Sequence, residues 1–146
     1  MKKKVTVMAM MALLAIMLTA TTSMAASFAG GSGPGYVNGN EYAETIYGTD
    51  GPETIRGFGG GDYLAGLGGN DSISGGRGDD LVRGDGGDDA LRGGSGSDRI
   101  EGGTGSDTVY SHGDYAADVI DCGAGYDTVR ADRYDRLIGC EKAERF

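Results

Sequence analysis

The sequence repeats itself every nine residues from Gly39 to Tyr110. The clearest unit, Gly75–Arg83, reads GGRGDDLVR, with glycine at the first, second and fourth places. An acid occupies the sixth place of all eight units, in the order Glu44, Glu53, Asp62, Asp71, Asp80, Asp89, Asp98 and Asp107. An aliphatic residue occupies the eighth place, in the order Ile46, Ile55, Leu64, Ile73, Val82, Leu91, Ile100 and Val109. The period therefore constrains the fold more than any single motif does.

This period predicts short strands and excludes helices. One aliphatic residue flanked by polar ones indicates a three-residue strand whose centre faces inward, and glycine recurs too often for a helix. Glycines at the first, second and fourth places allow tight turns with positive φ. Because one turn and strand cannot bury anything, the units must stack, two to a coil. We therefore predict an all-β fold, a parallel β-roll (a right-handed β-helix solenoid) with two aliphatic ladders and two columns of carboxylates.

The net charge of the chain limits the classes of partner that it can bind. Asp and Glu number 22 against 13 Lys and Arg, a net charge of −9, which argues against nucleic acid because that binding relies on basic residues. The ladders alone bury too little to offset the ordering of a glycine-rich chain, and the carboxylate columns repel one another. A divalent cation would contribute the missing stabilisation and neutralise the repulsion between the carboxylates. Calcium accepts carboxylates and carbonyls in a flexible geometry, whereas zinc prefers His and Cys.

The first 25 residues have the pattern of a secretory signal peptide. Lys2, Lys3 and Lys4 precede an apolar run and an Ala-x-Ala-like cleavage site at Ala25, and the run is shorter than the ~20 residues that span a bilayer. We predict a secreted protein, extracellular or at the cell surface, with no membrane insertion in the mature form. Loss of the three lysines leaves ten basic residues against 22 acidic ones, a net charge of −12. Residues 26–38 are predicted to be a flexible Gly/Ser-rich leader.

The units of residues 39–110 resemble the GGxGxDxUx repeats of the RTX (hemolysin-type) calcium-binding family. The resemblance implies a β-roll that holds several Ca²⁺ ions in its turns, between units two apart. Carried onto this sequence, it pairs Asp62 with Asp80, Asp71 with Asp89, Asp80 with Asp98, and Asp89 with Asp107, about four well-formed sites. Turn carbonyls complete them, with candidates at Gly75, Gly76, Gly78, Gly93, Gly94 and Gly96. Glu44 and Glu53 depart from the motif, and Asp79, Asp85 and Asp88 are interpreted as solvated surface charge.

Residues 111–146 are degenerate repeats that we expect to form a C-terminal cap. After an insertion of Ser111 and His112 the register resumes, which makes Asp118 and Asp127 further candidate calcium ligands. Cys122 and Cys140 are the only cysteines. In the oxidising compartment that the signal peptide implies, they are predicted to form a disulfide that holds the degenerate coils together.

Two classes of function remain after enzymes are considered. The sequence has no G-x-S-x-G, no H-E-x-x-H and no Ser/His/Asp set, and the lone His112 is interpreted as a loop residue, so we predict that the chain is not an enzyme. The first hypothesis is a secreted calcium-dependent scaffold whose folding is coupled to Ca²⁺. The alternative is a calcium-stabilised module that binds a cell-wall or polysaccharide partner, to which the outward Arg56, Arg83, Arg92 and Arg130 could contribute.

Overall fold

The structure is a computed structural model that describes residues 35–146 and the backbone of Ala26–Phe28. The predicted signal peptide lies outside the described residues. Every regular element in the described part is a strand. None of its segments is a helix that could cross a membrane.

Fourteen strands follow one another along the chain. They are β1 Ala26–Phe28, β2 Gly35–Asn38, β3 Thr45–Tyr47, β4 Glu53–Gly59, β5 Tyr63–Gly68, β6 Ser72–Arg77, β7 Leu81–Gly86, β8 Ala90–Ser95, β9 Arg99–Thr104, β10 Thr108–Ser111, β11 Val119–Ala124, β12 Thr128–Ala131, β13 Arg136–Ile138 and β14 Lys142–Arg145.

Successive strands enter two parallel sheets in alternation. The odd sheet contains β1, β3, β5, β7, β9, β11 and β13, and the even sheet contains β2, β4, β6, β8, β10, β12 and β14. Each strand pairs in parallel with the strand one coil away. Ile55 of β4 lies opposite Ile73 of β6, and Ile73 lies opposite Leu91 of β8. The predicted parallel β-solenoid is therefore confirmed, and a residue at a given place in the unit meets its equivalent one coil later.

The core of the solenoid consists of the eighth-place residues. They are at most 1% exposed and form one cluster between the two sheets, made of Ile46, Ile55, Leu64, Ile73, Val82, Leu91, Ile100, Val109, Ile120 and Val129. The aliphatic ladders thus extend through both units that follow the insertion.

The solenoid begins before Gly39, inside the segment that we expected to be a flexible leader. Gly35–Asn38 form β2, which pairs with β4, and Val37 is only 7% exposed opposite Ile55. The sequence explains this difference, because residues 30–38 read GGSGPGYVN. That segment is a further unit in which Gly35 replaces the sixth-place acid.

The degenerate C-terminal part continues the stack. The two-residue insertion lengthens one coil, so that Ile100 pairs with Ile120 and Val109 with Val129. The predicted disulfide is confirmed: Cys122 and Cys140 are joined across successive coils, with their Cα atoms 5.2 Å apart. The tail that was expected to cap the solenoid forms β14, the last strand of the even sheet.

Candidate metal centre

The sixth-place acids form two columns, one along each edge of the solenoid. The first column contains Glu44, Asp62, Asp80, Asp98, Asp118 and Asp135, and the second contains Glu53, Asp71, Asp89, Asp107, Asp127 and Glu141. All except Glu141 are buried. Neighbours in a column come from units two apart, which is the pairing that the family resemblance implied. The structure thereby brings all eight candidate aspartates into the two columns.

One oxygen of each aspartate holds its column together. The backbone N–H of Asp62 donates to Oδ1 of Asp80 at 2.8 Å, and the N–H of Asp80 donates to Oδ1 of Asp98 at 2.8 Å. The second column has the same arrangement, as in the 2.7 Å bond from Asp71 N–H to Oδ1 of Asp89. Oδ1 therefore serves as a backbone acceptor between coils and is already satisfied.

The other carboxylate oxygen has no partner. Among the described residues, Oδ2 is buried without a hydrogen bond in seven aspartates, namely Asp62, Asp71, Asp80, Asp89, Asp98, Asp107 and Asp127. A buried polar atom left unpaired costs about 1–3 kcal/mol, and more when it is charged. These oxygens therefore need a cationic partner that the protein's own side chains do not provide.

Five of the seven unpaired oxygens, those of Asp62, Asp71, Asp80, Asp89 and Asp107, face a narrow gap that a backbone carbonyl also lines. A Cβ atom built on Gly57 would collide with Oδ2 of Asp62 and lie 2.6 Å from the carbonyl oxygen of Gly75. A Cβ atom on Gly75 would likewise collide with Oδ2 of Asp80 and lie 2.6 Å from the carbonyl oxygen of Gly93. Gly75 does not have a positive φ. Glycine is thus required at the first place because two oxygens approach its Cα closely, and not because of the turn conformation that we predicted.

Gly93 resembles Gly75, because its φ is not positive and a Cβ atom there would collide with Oδ2 of Asp98. The other four candidate glycines lie where the turn itself demands glycine. Gly76, Gly78, Gly94 and Gly96 have φ values of 124°, 116°, 127° and 122°. The carbonyl oxygens of Gly76 and Gly78 lie beside the Cα atoms of Gly94 and Gly96 in the next coil. The turns of successive coils therefore stack with their carbonyls in register.

This set of donors fits calcium. Within residues 35–146, no three His, Cys, Asp or Glu side chains converge on one point, so a cation beside an unpaired Oδ2 would take most of its ligands from carbonyls. Calcium binds six to eight oxygens and accepts carboxylates and carbonyls together. Zinc selects nitrogen and sulfur ligands, which the columns do not offer.

Four acids of the columns, namely Glu44, Glu53, Asp118 and Asp135, have protein partners for both carboxylate oxygens. Asn40 donates its backbone and side-chain N–H groups to Glu44, and Thr49 donates its backbone N–H and hydroxyl to Glu53 at 2.8 and 2.5 Å. The hydroxyl of Ser111 donates to Oδ2 of Asp118, whose Oδ1 accepts from Asp98. The backbone N–H groups of Asp118 and Asp132 donate to Oδ1 and Oδ2 of Asp135 at 3.0 and 2.7 Å. These four acids therefore have less need of a cation than the seven aspartates with an unpaired oxygen.

Burial raises the pKa of the column aspartates. Desolvation is the main cause; a backbone N–H donor partly offsets it, and neighbouring carboxylates add to it. In the absence of metal, the pKa of Asp71, Asp80, Asp89 and Asp107 rises to about 6 and that of Asp98 to about 7. The pKa values of Asp62 and Asp118 are raised as well. The aspartates of the metal-free columns thus take up protons at a higher pH than ordinary aspartates do.

Calcium binding is expected to weaken as the pH falls from 8 to 5. Protons compete with the cation for carboxylates whose pKa lies at about 6 to 7. The stability of the chelated protein changes with pH in the opposite direction. Because the folded-state pKa values of its aspartates are raised, that stability is greatest below the ordinary aspartate pKa and is lost as the pH rises through 6 to 7. Calcium titrations followed by circular dichroism at pH 5, 6, 7 and 8 measure both effects, and a pH-independent midpoint would contradict them.

Substitution of Gly75 by alanine is expected to disrupt the site that contains Asp80. The new methyl group would occupy the gap between Oδ2 of Asp80 and the carbonyl oxygen of Gly93. Gly86 provides the matched control, because a Cβ atom there meets nothing closer than 3.4 Å and its φ is not positive. Calorimetry should show at least one fewer calcium ion bound to Gly75→Ala, and the wild-type number bound to Gly86→Ala.

Other acids play roles that the sequence analysis did not assign. Asp79 and Asp88, interpreted as solvated charge, are exposed, but each Oδ1 accepts a backbone N–H one coil later, from Ser97 at 2.8 Å and from Ser106 at 2.7 Å. Asp85 has a φ of 71° and pairs with Arg83 at 2.5 Å. The 18-residue separation of Asp79 and Ser97 indicates that they lie in successive coils. It does not show that Oδ1 of Asp79 accepts the N–H of Ser97.

His112 lies in an exposed position after β10. Its ring centroid is 5.4 Å from that of Phe146. The aromatic neighbour is consistent with the loop role inferred from the sequence.

Comparison with known proteins identifies the repeat. A family model described as the RTX calcium-binding nonapeptide repeat (4 copies) matches residues 38–73, 56–91, 66–100, 83–115 and 92–129. These matches overlap and together cover residues 38–129, which include all seven aspartates with an unpaired Oδ2. The search of curated proteins and the search of solved structures found no match.

Proposed function

The chain belongs to the RTX calcium-binding nonapeptide repeat family, and from this premise we propose that it is a secreted scaffold whose folding is coupled to Ca²⁺. The observation that carries the proposal is the set of seven buried Oδ2 atoms without a partner. Calcium binding follows from the family. Coupled folding follows from the burial of these charges, because a fold that buries unpaired carboxylates is unstable until a cation neutralises them.

The cation would be held by the unpaired Oδ2 atoms and the glycine carbonyls beside them. Bound calcium would supply the positive charge that these oxygens lack. The chain's own residues set the geometry: the bonds between backbone N–H and Oδ1 fix each carboxylate, as from Asp62 to Asp80, and the first-place glycine leaves the gap open, as Gly75 does. Calcium would thereby offset the repulsion between the carboxylates of each column and stabilise the stack of coils.

An extracellular scaffold is supported by several features. The Lys-rich, apolar N-terminal segment has the pattern of a signal peptide, and the disulfide between Cys122 and Cys140 is typical of oxidising compartments. Extracellular modules bind calcium at ~10⁻⁴–10⁻³ M, a range that extracellular calcium fills. A β-roll is a structural calcium-binding fold, and we propose that this chain acts through its shape and surface and not as an enzyme.

Calorimetric titration of the chelated protein tests the calcium proposal. We expect Ca²⁺ to bind with a stoichiometry of at least about four, as the paired aspartates of the two columns imply, and to order the chain. Mg²⁺ should order it far less, because it requires a strict octahedron and retains its water ligands. Equal responses to Mg²⁺ and Ca²⁺ would show that the columns respond to divalent charge in general.

A further inference from the structure

The outer faces of the two sheets differ in whether their arginines form ion pairs. On the odd sheet, Arg83 pairs with Asp85 at 2.5 Å and with Glu101 at 3.3 Å, and Arg99 pairs with Glu101 at 2.7 Å. On the even sheet, Arg56 and Arg92 are exposed, and no acid in residues 35–146 forms an ion pair with either. From β4 to β9, a chain of net charge −9 therefore leaves the arginines of the even face without ion pairs, whereas both arginines of the odd face, Arg83 and Arg99, are paired.

These arginines line a groove across the even sheet. One hollow, of about 420 Å³, contains Phe58, Ser74, Arg77 and Arg92 in its lining. Its lining also includes one acid, Asp114, whose Oδ2 accepts the backbone N–H of Gly96 at 3.2 Å. A second, of about 390 Å³, contains Arg56, Ser74, Arg92 and Tyr110. Because they share Ser74 and Arg92, the two hollows form one continuous groove. Ser72 and Ser74 of β6 and Ala90 of β8 contribute small side chains to its lining, between Arg56 of β4 and Tyr110 of β10.

A regular row of side chains crosses the groove. Strand pairing places Arg56 beside Ser74, Ser74 beside Arg92, Arg92 beside Tyr110 and Tyr110 beside Arg130. Adjacent strands are ~4.8 Å apart, so an arginine recurs at every second strand, about every 10 Å. Arg130 at the end of the row is held by Glu144 at 3.2 Å. The repeat suits an extended ligand with regularly spaced anions better than a single small anion.

An aromatic ring completes one end of the groove. Phe58 is 44% exposed and occupies the second place of its unit with a φ of 80°, where the unit of Gly75 has glycine. A bulky residue in the left-handed region is strained. Leu67 has a similar φ of 76° and is 42% exposed, but it lies on the odd sheet, away from the groove. Strain is thus common to both residues, and only Phe58 lies beside unpaired arginines.

We propose that this groove binds a linear polysaccharide that carries carboxylates on alternate sugar rings. Guanidinium groups bind carboxylates through two parallel hydrogen bonds, the Ser74 hydroxyl can bond to sugar hydroxyls, and the faces of Phe58 and Tyr110 can pack on the C–H groups of a pyranose ring. One pyranose ring spans about one strand spacing, so alternate carboxylates fall in step with alternate arginines. The inference rests on the proposed function, because calcium must first order the sheet that carries the row.

The charge of the row is tested with hyaluronan hexasaccharide, whose carboxylates alternate along the chain, and with neutral cellohexaose. At saturating calcium we expect the wild-type protein to bind the hyaluronan fragment and not cellohexaose. Arg92→Ala should weaken the affinity by about tenfold, the loss typical of a charge-assisted hydrogen bond. Arg99→Ala removes the same charge from the odd face and should bind within twofold of wild type, because Arg99 contacts Glu101 and not the groove.

The aromatic end is tested with a matched pair of glycine substitutions. Phe58→Gly and Leu67→Gly each replace an exposed apolar residue of positive φ by the residue that the motif prefers there. Both variants should retain the calcium-bound fold. Only Phe58→Gly should lose affinity for the hexasaccharide, by severalfold, so the loss cannot be attributed to unfolding.

Circular dichroism of the same samples separates the two proposals. A protein that calcium folds but that ignores the hexasaccharide, binds cellohexaose equally, or binds only a heparin hexasaccharide or a phosphate polymer would overturn the uronate proposal and leave calcium coupling intact. Unchanged binding by Arg92→Ala and Phe58→Gly would also overturn it. Specific binding by a protein that is already folded in chelator would overturn the calcium coupling and support the groove.

Discussion

Removal of calcium with EDTA is expected to unfold most of residues 35–146. The mature chain carries a predicted net charge of −12, and seven of its buried Oδ2 atoms have no partner in the fold. Four bound Ca²⁺ ions would reduce that charge to about −4. Without them, the aliphatic ladders do not offset the conformational entropy of a glycine-rich backbone. Far-ultraviolet circular dichroism should show loss of most of the strand signal, and excess calcium should restore it.

The control for this experiment is sodium chloride at an ionic strength equal to or above that of the calcium buffer. Salt screens the repulsion between the columns, but a monovalent salt does not bridge buried oxygens. If sodium chloride restored the strand signal in chelator, screening and not ligation would stabilise the solenoid. A chelated protein whose spectrum already equals that of the calcium form would contradict coupled folding altogether.

The period of the sequence was sufficient to predict the fold. Each coil contains the same residue types at the same places, so parallel stacking is the arrangement that buries every eighth-place residue, from Ile46 to Val129. The insertion of Ser111 and His112 did not disturb this prediction, because the solenoid absorbs it in one longer coil and the strands on either side still pair.

The start of the solenoid was not predicted, because the acid was used to recognise a unit. Residues 30–38 have glycines at the first, second and fourth places and Val37 at the eighth, but Gly35 at the sixth. Strand pairing requires only the backbone and the aliphatic residue, and both are present in β2. A unit can therefore contribute to the sheets without contributing to the carboxylate columns.

The columns could be predicted from the sequence, but the separate roles of their oxygens could not. Spacing places Asp62 and Asp80 on one edge, yet only the backbone of the preceding coil shows that Oδ1 of Asp80 accepts an N–H while its Oδ2 is unpaired. Similarly, the sequence does not show that Asn40 and Thr49 satisfy Glu44 and Glu53. These differences depend on local side-chain geometry, which a motif does not encode.

Replacement of Asp80 by alanine is expected to raise the calcium midpoint by about tenfold or more and to reduce its cooperativity. Oδ1 of Asp80 accepts from Asp62, its own N–H donates to Asp98, and its Oδ2 is unpaired. The substitution leaves the N–H of Asp62 without its acceptor, at a cost of about 1–3 kcal/mol, and removes a calcium ligand in the middle of the stack. Because a solenoid is stabilised by contacts between neighbouring coils, a central break affects both halves. Asp89→Ala should behave alike in the second column.

Three further variants identify the cause of the Asp80→Ala effect. Asp80→Asn retains an acceptor for Asp62 and loses only the charge, so its midpoint should lie between wild type and Asp80→Ala. Glu44→Ala should have a smaller effect, because Glu44 is the first acid of its column and Asn40 already satisfies its carboxylate. Asp50→Ala removes an exposed acid outside the columns and should shift the midpoint by less than twofold; Asp85 is unsuitable as this control because of its φ of 71° and its pairing with Arg83. Equal midpoint shifts for Asp80→Ala and Asp50→Ala would mean that calcium responds to total charge, and the assignment of the columns as its ligands would be wrong.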